Sequence, residues 1–396
     1  MTDTSIGSPP ARFVHGRATW YGWLLVGAYI YLLNVQGNVV PFLQAEFALS
    51  YAAVSVHSSA MAVGVIVVGL FGERLANVLG RRKTLWVSMG GLAAGAILLC
   101  LAPAPWVSIA ACFVLGSFGT LVPAIVPALL ADIHGEHRAL AFAGLSIVAY
   151  VFGLAAPLLS GISVSLGLGW RPAALIGAGF AIGFGLWFRR TPLTEAAATG
   201  HDEQRTLPAA FWAYWALTVL SCGLEYCMLF YAPTFLERVI GFSPATAATT
   251  AAAFPLGMLA GRSALGMLVQ RVAPRRLLFG ALAIVVLGFL AYWGSGQPVL
   301  SVAGLFIAGL GIAPLYPLVV NFGLGAAGKA KDLGSVRLSI AAGISLLLAP
   351  IGLGALADSV GLGPAHLILP MLVGAAATCF LIAETLQKRS AAVAVA

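Results

Sequence analysis

Residues 145–161, LSIVAYVFGLAAPLLSG, and residues 338–354, LSIAAGISLLLAPIGLG, are two versions of one text. They agree at Leu145/Leu338, Ser146/Ser339, Ile147/Ile340, Ala149/Ala342, Leu154/Leu347, Ala156/Ala349, Pro157/Pro350 and Gly161/Gly354, each pair 193 residues apart in a chain of 396. The same offset joins two basic loops, ERLANVLGRRK at 73–83 and GMLVQRVAPRR at 266–276, through Leu75/Leu268, Arg82/Arg275 and Lys83/Arg276. Two halves descended from one unit is the simplest account.

The repeated text is apolar, and so is nearly everything around it. Hydrophobic residues make up 60% of the chain and charged residues 9%, with a mean hydropathy of +0.98, which excludes a soluble two-domain protein. The bilayer is the solvent. A spanning helix needs about 20 mostly apolar residues, and backbone polar groups in lipid must be satisfied inside helices or closed barrels. The runs are continuous and lack the alternation of barrel strands, so the fold class expected is an all-α membrane protein.

Twelve spans can be read, at 20–41, 52–75, 84–101, 106–131, 140–164, 172–188, 210–235, 244–269, 277–293, 299–322, 336–357 and 365–383. They pair six with six under the 193-residue shift. The organisation expected is a tail at 1–19, a six-helix bundle at 20–188, a polar linker at 189–209, a second bundle at 210–383 and a tail at 384–396. The linker, RRTPLTEAAATGHDEQRTLP at 189–208, is flexible enough in composition to let two bundles rock against each other.

Charge fixes the expected orientation. Arg81, Arg82, Lys83, Arg138, Arg189, Arg190, Arg275 and Arg276 fall in even-numbered connections, which with the termini hold nearly all the basic residues, against only Arg171 and Arg238 opposite. By the positive-inside rule both termini are cytoplasmic and the protein lies in the cytoplasmic, or inner, membrane. The net charge of +8 is then a topology signal, and its dispersal over short loops argues against a nucleic-acid partner. Five cysteines, all in apolar spans and without metal-ligand spacing, read as buried small hydrophobes. The first apolar run is long enough to span and carries no cleavage signal, so it reads as a helix.

Twelve spans in a 6+6 repeat resemble the major facilitator superfamily, whose loop signature is Gly-x-Leu-Ala-Asp-Arg-x-Gly-Arg-Lys. Here it stands as Glu73-Arg74-Leu75-Ala76-Asn77-Val78-Leu79-Gly80-Arg81-Arg82, matching at Leu75, Ala76, Gly80 and Arg81, with Arg82 keeping the last basic character. The resemblance implies two pseudo-symmetric bundles, a substrate site between them and a gating loop at Asn77, Gly80, Arg81 and Arg82. Where the family has an acid that holds the outward-open state, Asn77 offers only a neutral hydrogen bond. Independently of the family, Gly80 permits a tight reversal, and the adjacent cations suit anionic headgroups or helix C-termini. Drug antiporters of the superfamily carry an Arg four residues before a Gly in the fourth span; Cys112 stands there, before Gly116.

Charges inside spans carry the functional reading, because each costs roughly 2.5–3.5 kcal/mol at a helix centre. Arg262, Arg337 and Glu225 qualify. Arg262 has no acid at helical spacing, so its partner is another helix, water or a solute. With Gly266 four residues on, it resembles the eighth-span Arg of monocarboxylate and oxalate/formate transporters, where an Arg helps bind carboxylate. Arg337 stands where the first half has Gly144; it either snorkels or turns inward to clasp an anion together with Arg262. Glu225 also lacks a basic neighbour, and since an ionised carboxylate is costly there, it reads either as the natural proton carrier or as a neutral acid hydrogen-bonded to a neighbouring helix. Asn34 and Asn38 share a helix face and, with Tyr150, Tyr226, Tyr231, Tyr316 and Asn321, fill out a polar cavity. His57, near a span end, reads as interfacial, as do Trp20, Trp106, Trp170 and Trp293.

The expectation is a secondary transporter, not an enzyme, that moves a small organic anion such as a monocarboxylate by alternating access, with protons as a candidate co-substrate. The alternative is proton-coupled efflux of drug-like or neutral solutes. No phosphate-cradling loop supports ATP drive; no cofactor is expected, and a monomer is.

Overall fold

The structure is a computed structural model that describes residues 15–193, 206–328 and 330–395, without the side chains of 72–74, 76, 77, 136, 139, 332 and 390–395. Every regular element among them is helical. Twelve apolar helical segments form two bundles. The first holds α1 (Arg17–Glu46), α2 (Tyr51–Phe71), α3 (Arg81–Leu101), α4 (Pro105–His134), α5 (Leu140–Ser165) and α6 (Arg171–Trp187). The second holds α7 (Ala209–Arg238), α8 (Pro244–Leu268), α9 (Pro274–Gly294), α10 (Pro298–Ala327), α11 (Leu333–Val360) and α12 (Leu362–Arg389). Eleven have the length and composition to cross a bilayer; α6, at 17 residues, reaches only about 26 Å at 1.5 Å per residue.

Most of the twelve helices outrun the hydropathy that announces them. α2 continues as helix to Leu79 and α12 to Val395, beyond the expected limits of 75 and 383, because polar residues outside the hydrocarbon still complete helical turns. Proline in the first turn starts α4, α6, α8, α9 and α10, where its missing N–H would have no partner anyway. Ser243 caps α8 by accepting the Thr246 N–H at 3.2 Å.

The 193-residue repeat extends from text to packing. α4 breaks after Gly119 at Thr120, and α10 breaks after Ile312 at Ala313, the equivalent position. Gly64 lets α2 approach Phe113 and Ser117 of α4, and Gly257 lets α8 approach Phe306 and Leu310 of α10. Gly95 meets Leu115 as Gly288 meets Ala308; Gly116 meets the Met61 carbonyl as Gly309 meets that of Phe254. Each residue in these contacts has its counterpart 193 positions on, so both bundles close on the same small-residue seams. Between bundles the exchange is mutual: α5 packs on α1 and α8, and α11 on α7 and α2.

α1 and α7 are the most enclosed helices, and α1 buries Asn34, Gln36, Asn38 and Gln44. Apolar side chains face outward on the peripheral helices, including Leu101 of α3, Leu186 of α6, Leu287 of α9 and Met371 of α12. Sequence reading placed two residues wrongly. His57 is fully buried, pairing with the Val54 carbonyl and the Ser108 hydroxyl at 2.8 Å each, because α4 supplies a partner inside the bundle. Trp170 is buried too, hydrogen-bonded to Glu46 and covered by Arg171.

Candidate functional site

Among the described residues, every hydrogen bond between the bundles lies between the face opposite the termini and the middle of the helices. The Asp358 carboxylate at the end of α11 accepts the Tyr51 and Ala52 N–H groups, which open α2, at 2.8 Å each. Ser55 reaches the Tyr231 hydroxyl and the Pro350 carbonyl, and Ser59 donates to Leu347 at 2.9 Å. Tyr231 donates to the Tyr51 carbonyl at 3.0 Å, which removes it from the cavity the sequence suggested and sets it in this seam. The repeated glycines let the seam close: Gly354 abuts Tyr231, Ser55 and Tyr51, and Gly161 abuts Thr249 of α8.

Below the seam lies a cavity of about 520 Å³ between the bundles, lined by Asn34, Tyr150, Glu225, Arg262 and Tyr316 together with Tyr29, Cys222 and Tyr226. A second chamber of about 630 Å³ runs between α5, α8 and α10 down to Val269 and Pro274, beside the α8–α9 loop on the face that carries the termini. Ser146, Tyr150 and Arg262 line both, so Arg262 stands at the junction.

The Arg262 guanidinium carbon sits 5.6 Å from the centre of the Tyr150 ring, a cation–π distance. Its Nε is buried without a hydrogen-bond partner. The ion pairs among the described residues are Arg81–Asp132, Arg171–Glu46 and Arg275–Glu384, so Arg262 and Glu225 share a cavity without an ion pair between them. Arg262 as a whole is half-buried, and no hydrogen bond or ion pair to its guanidinium is found among the described residues, so its donors are left to water or a solute.

The other singled-out residues divide. Asn321 lines the second chamber. Asn38 sits with Asn34 around a small void above the main cavity; its side-chain nitrogen donates to the Asn34 carbonyl at 3.1 Å. The Asn34 nitrogen donates to Ile30 at 2.9 Å, so each amide spends one of its two N–H donors on its own helix. Arg337 lines neither chamber: its side chain is exposed, while its carbonyl accepts the Trp215 indole N–H at 2.9 Å. In the signature loop Gly80 has φ +79°, a left-handed conformation that glycine tolerates. Arg81 is buried and bonds Asp132 at 2.6 Å, tying α3 to α4, and Arg82 donates to the Arg189 carbonyl. The Asn77 side chain lies outside the described residues.

Tyr29, Ser146 and Phe254 line the cavity although sequence reading did not single them out. Ser146 could have been found, four residues before Tyr150 on one helix face. Phe254 carries no such signal in an apolar run. No group of three His, Cys, Asp or Glu residues among those described could hold a metal ion.

Comparison with known proteins agrees with this fold. The family model described as Major Facilitator Superfamily matches residues 22–332. A stretch of 132 residues is 30% identical to the citrinin biosynthesis cluster MFS transporter of Monascus ruber; it covers 33% of this chain and 26% of that protein's length. The fold superposes on a bacterial homolog of the human lysosomal transporter Spinster, inward-facing and unoccupied, with a TM-score of 0.73 at 16% identity, covering 95% of this chain and 99% of that one. The nucleoside transporter NupG gives a TM-score of 0.73 at 11% identity, covering 94% and 99%. A bacterial homologue of the human drug peptide transporters PepT1 and PepT2 gives 0.73 at 16%, covering 94% and 98%. The chain belongs to the Major Facilitator Superfamily and is a secondary transporter of the membrane.

Proposed function

We propose that this transporter carries an organic anion together with a proton, with Arg262 as the anion contact and Glu225 as the proton site. The observation that carries the reading is the unpartnered guanidinium at the junction of two chambers, sharing a cavity with an acid it does not pair with. A planar donor fork in a low-dielectric site binds carboxylate by parallel charge-assisted hydrogen bonds. An incoming anion leaves the ionised form of Glu225 facing a second negative charge, so anion and proton enter together. On the charge-based orientation, the cavity opens to the cytoplasm and the closed seam faces out. Tyr150 belongs to the first bundle and Arg262 to the second, so a bound anion bridges the two moving parts.

Reconstituted protein should accumulate a labelled organic anion when a proton gradient is imposed. Arg262→Ala should abolish saturable uptake, and Arg262→Lys should restore it only in part, since an ammonium lacks the fork. Folded Arg262→Ala that transports anions with unchanged affinity would overturn the assignment.

A further inference from the structure

We propose that the substrate is an amphiphilic monoanion, a carboxylate on an apolar aromatic or aliphatic body, and not a two- or three-carbon acid; this rests on the anion reading above. Size is the first argument. The main cavity of about 520 Å³ falls in the range of roughly 300–1,000 Å³ typical of drug-sized ligands. A three-carbon acid fills only a small part of that space, and water takes the rest. An acid that small would leave most of the cavity wet and Arg262 solvated, where its hydrogen bonds are weak.

Polarity is distributed along the cavity in the same sense. Arg262, Tyr150 and Ser146 cluster where the two chambers meet. At the other end Leu33, Leu229, Phe254 and Pro255 form an apolar wall, with Asn34 the polar side chain beside it. Phe254 and Arg262 are on one helix, eight residues or about 12 Å apart, so an occupant with its carboxylate on Arg262 extends its other end into apolar surface. Burying that end releases water from apolar surface at about 25 cal/mol per Å².

Charge count sets the valence. Among the described residues Arg262 is the one cationic side chain lining either chamber, and Arg337 lines neither. A second carboxylate on the substrate would find no cation and would face Glu225. The approach is amphipathic as well: Ile147, Leu259, Leu265, Val269 and Leu318 wall the second chamber, with Ser263 and Asn321 among them, up to the shared guanidinium.

Binding to the full chain in lipid nanodiscs, with empty nanodiscs as the blank, tests this with propanoate, 4-phenylbutanoate, 2-naphthylacetate, the amides of the two aryl acids, and 4-(4-carboxyphenyl)butanoate. The aryl monoacids should bind at least tenfold more tightly than propanoate, their amides and the diacid. Phe254→Ala should weaken the aryl acids about tenfold and leave propanoate unchanged. Arg262→Ala should remove the preference for acid over amide, with Arg262→Lys as the check that loss of binding is not loss of fold. Propanoate binding as tightly as the aryl acids, or the diacid as tightly as the monoacids, overturns the substrate class and leaves the anion reading standing. Amides binding as tightly as acids overturn the anion reading itself. Absence of binding by any aryl acid to millimolar concentration overturns the proposal.

Discussion

Replacing Asp358 should release the seam that closes the transporter on the face opposite its termini. The carboxylate holds two backbone N–H groups of the first turn of α2 at 2.8 Å each, across the boundary between bundles. It does for α2 what a capping side chain does for its own helix, except that the cap comes from the other half of the molecule. Removing a cap costs about 0.5–2 kcal/mol, and an anion at a helix N-terminus adds about 0.3–1 kcal/mol, screened by salt at an exposed site. In the open state the same groups bond water, so only the difference between states counts. About 1.4 kcal/mol is left as a reasonable central value, which is tenfold in the ratio of open to closed. Spin labels at Ala45 in the first bundle and Ser359 in the second should report the change as growth of a longer distance in Asp358→Ala. Asp358→Asn, which keeps the shape and loses the charge, should give an intermediate shift. Distance distributions in both folded variants that match the parent would refute the assignment of this contact as a latch.

Three further outcomes follow from the geometry. Glu225→Gln should abolish proton-driven accumulation while sparing anion-for-anion exchange, measured in vesicles with and without a gradient; intact coupling would remove Glu225 from the mechanism. Gly116→Ala and Gly309→Ala should each lower thermal stability through overpacking of about 1–3 kcal/mol, since a Cβ would collide with the Met61 and Phe254 carbonyls, whereas Gly90→Ala, with open space around it, should not. In a cysteine-free background, a cysteine at Ala198 should react only with reagents that reach the cytoplasm and one at Gly296 only from outside; the reverse pattern would overturn the orientation.

Much of the architecture was legible because it is written in residues that membranes constrain. Apolar runs of spanning length and a text repeated at 193 residues lead to two six-helix bundles with little else to choose from. The glycine contacts were present at the same offset, Gly64/Gly257 and Gly95/Gly288 among them, but hydropathy is blind to a residue whose contribution is the absence of a Cβ. The breaks at Thr120 and Ala313 were invisible for a related reason, since the runs through them stay apolar. In the candidate site, Arg262 stood out because a charge in lipid demands an explanation, and it proves to line both chambers. Arg337 did not resolve, being close enough to a span end for either direction to be satisfied, and its side chain is exposed. Tyr231 has the residue type of a cavity lining, but six residues beyond Glu225, about 9 Å along α7, it has already reached the seam.

The repeat also shows what was not duplicated. Glu225 corresponds to Leu32, Arg262 to Gly69, Tyr150 to Gly343 and Asn34 to Cys227, so the chemistry of the cavity has no symmetric copy. The scaffold contacts are two-fold and the site is not. A symmetric pair of bundles rocks equally well in either direction, and any bias must come from asymmetric contacts. One such bias is structural: the seam opposite the termini has Asp358 and its hydrogen bonds, whereas no hydrogen bond among the described residues joins the bundles at the other face. That favours the arrangement observed, open toward the termini. A substrate reverses the preference only by binding the other arrangement more tightly, and a tenfold shift needs about 1.4 kcal/mol of differential affinity. Contacts made from both bundles at once supply it, and the Arg262–Tyr150 pair is where such contacts are available. On the anion reading proposed above, a bound anion gains most when α5 and α8 close around it on the termini side, and bundles that rock as rigid bodies open the opposite seam in the same movement.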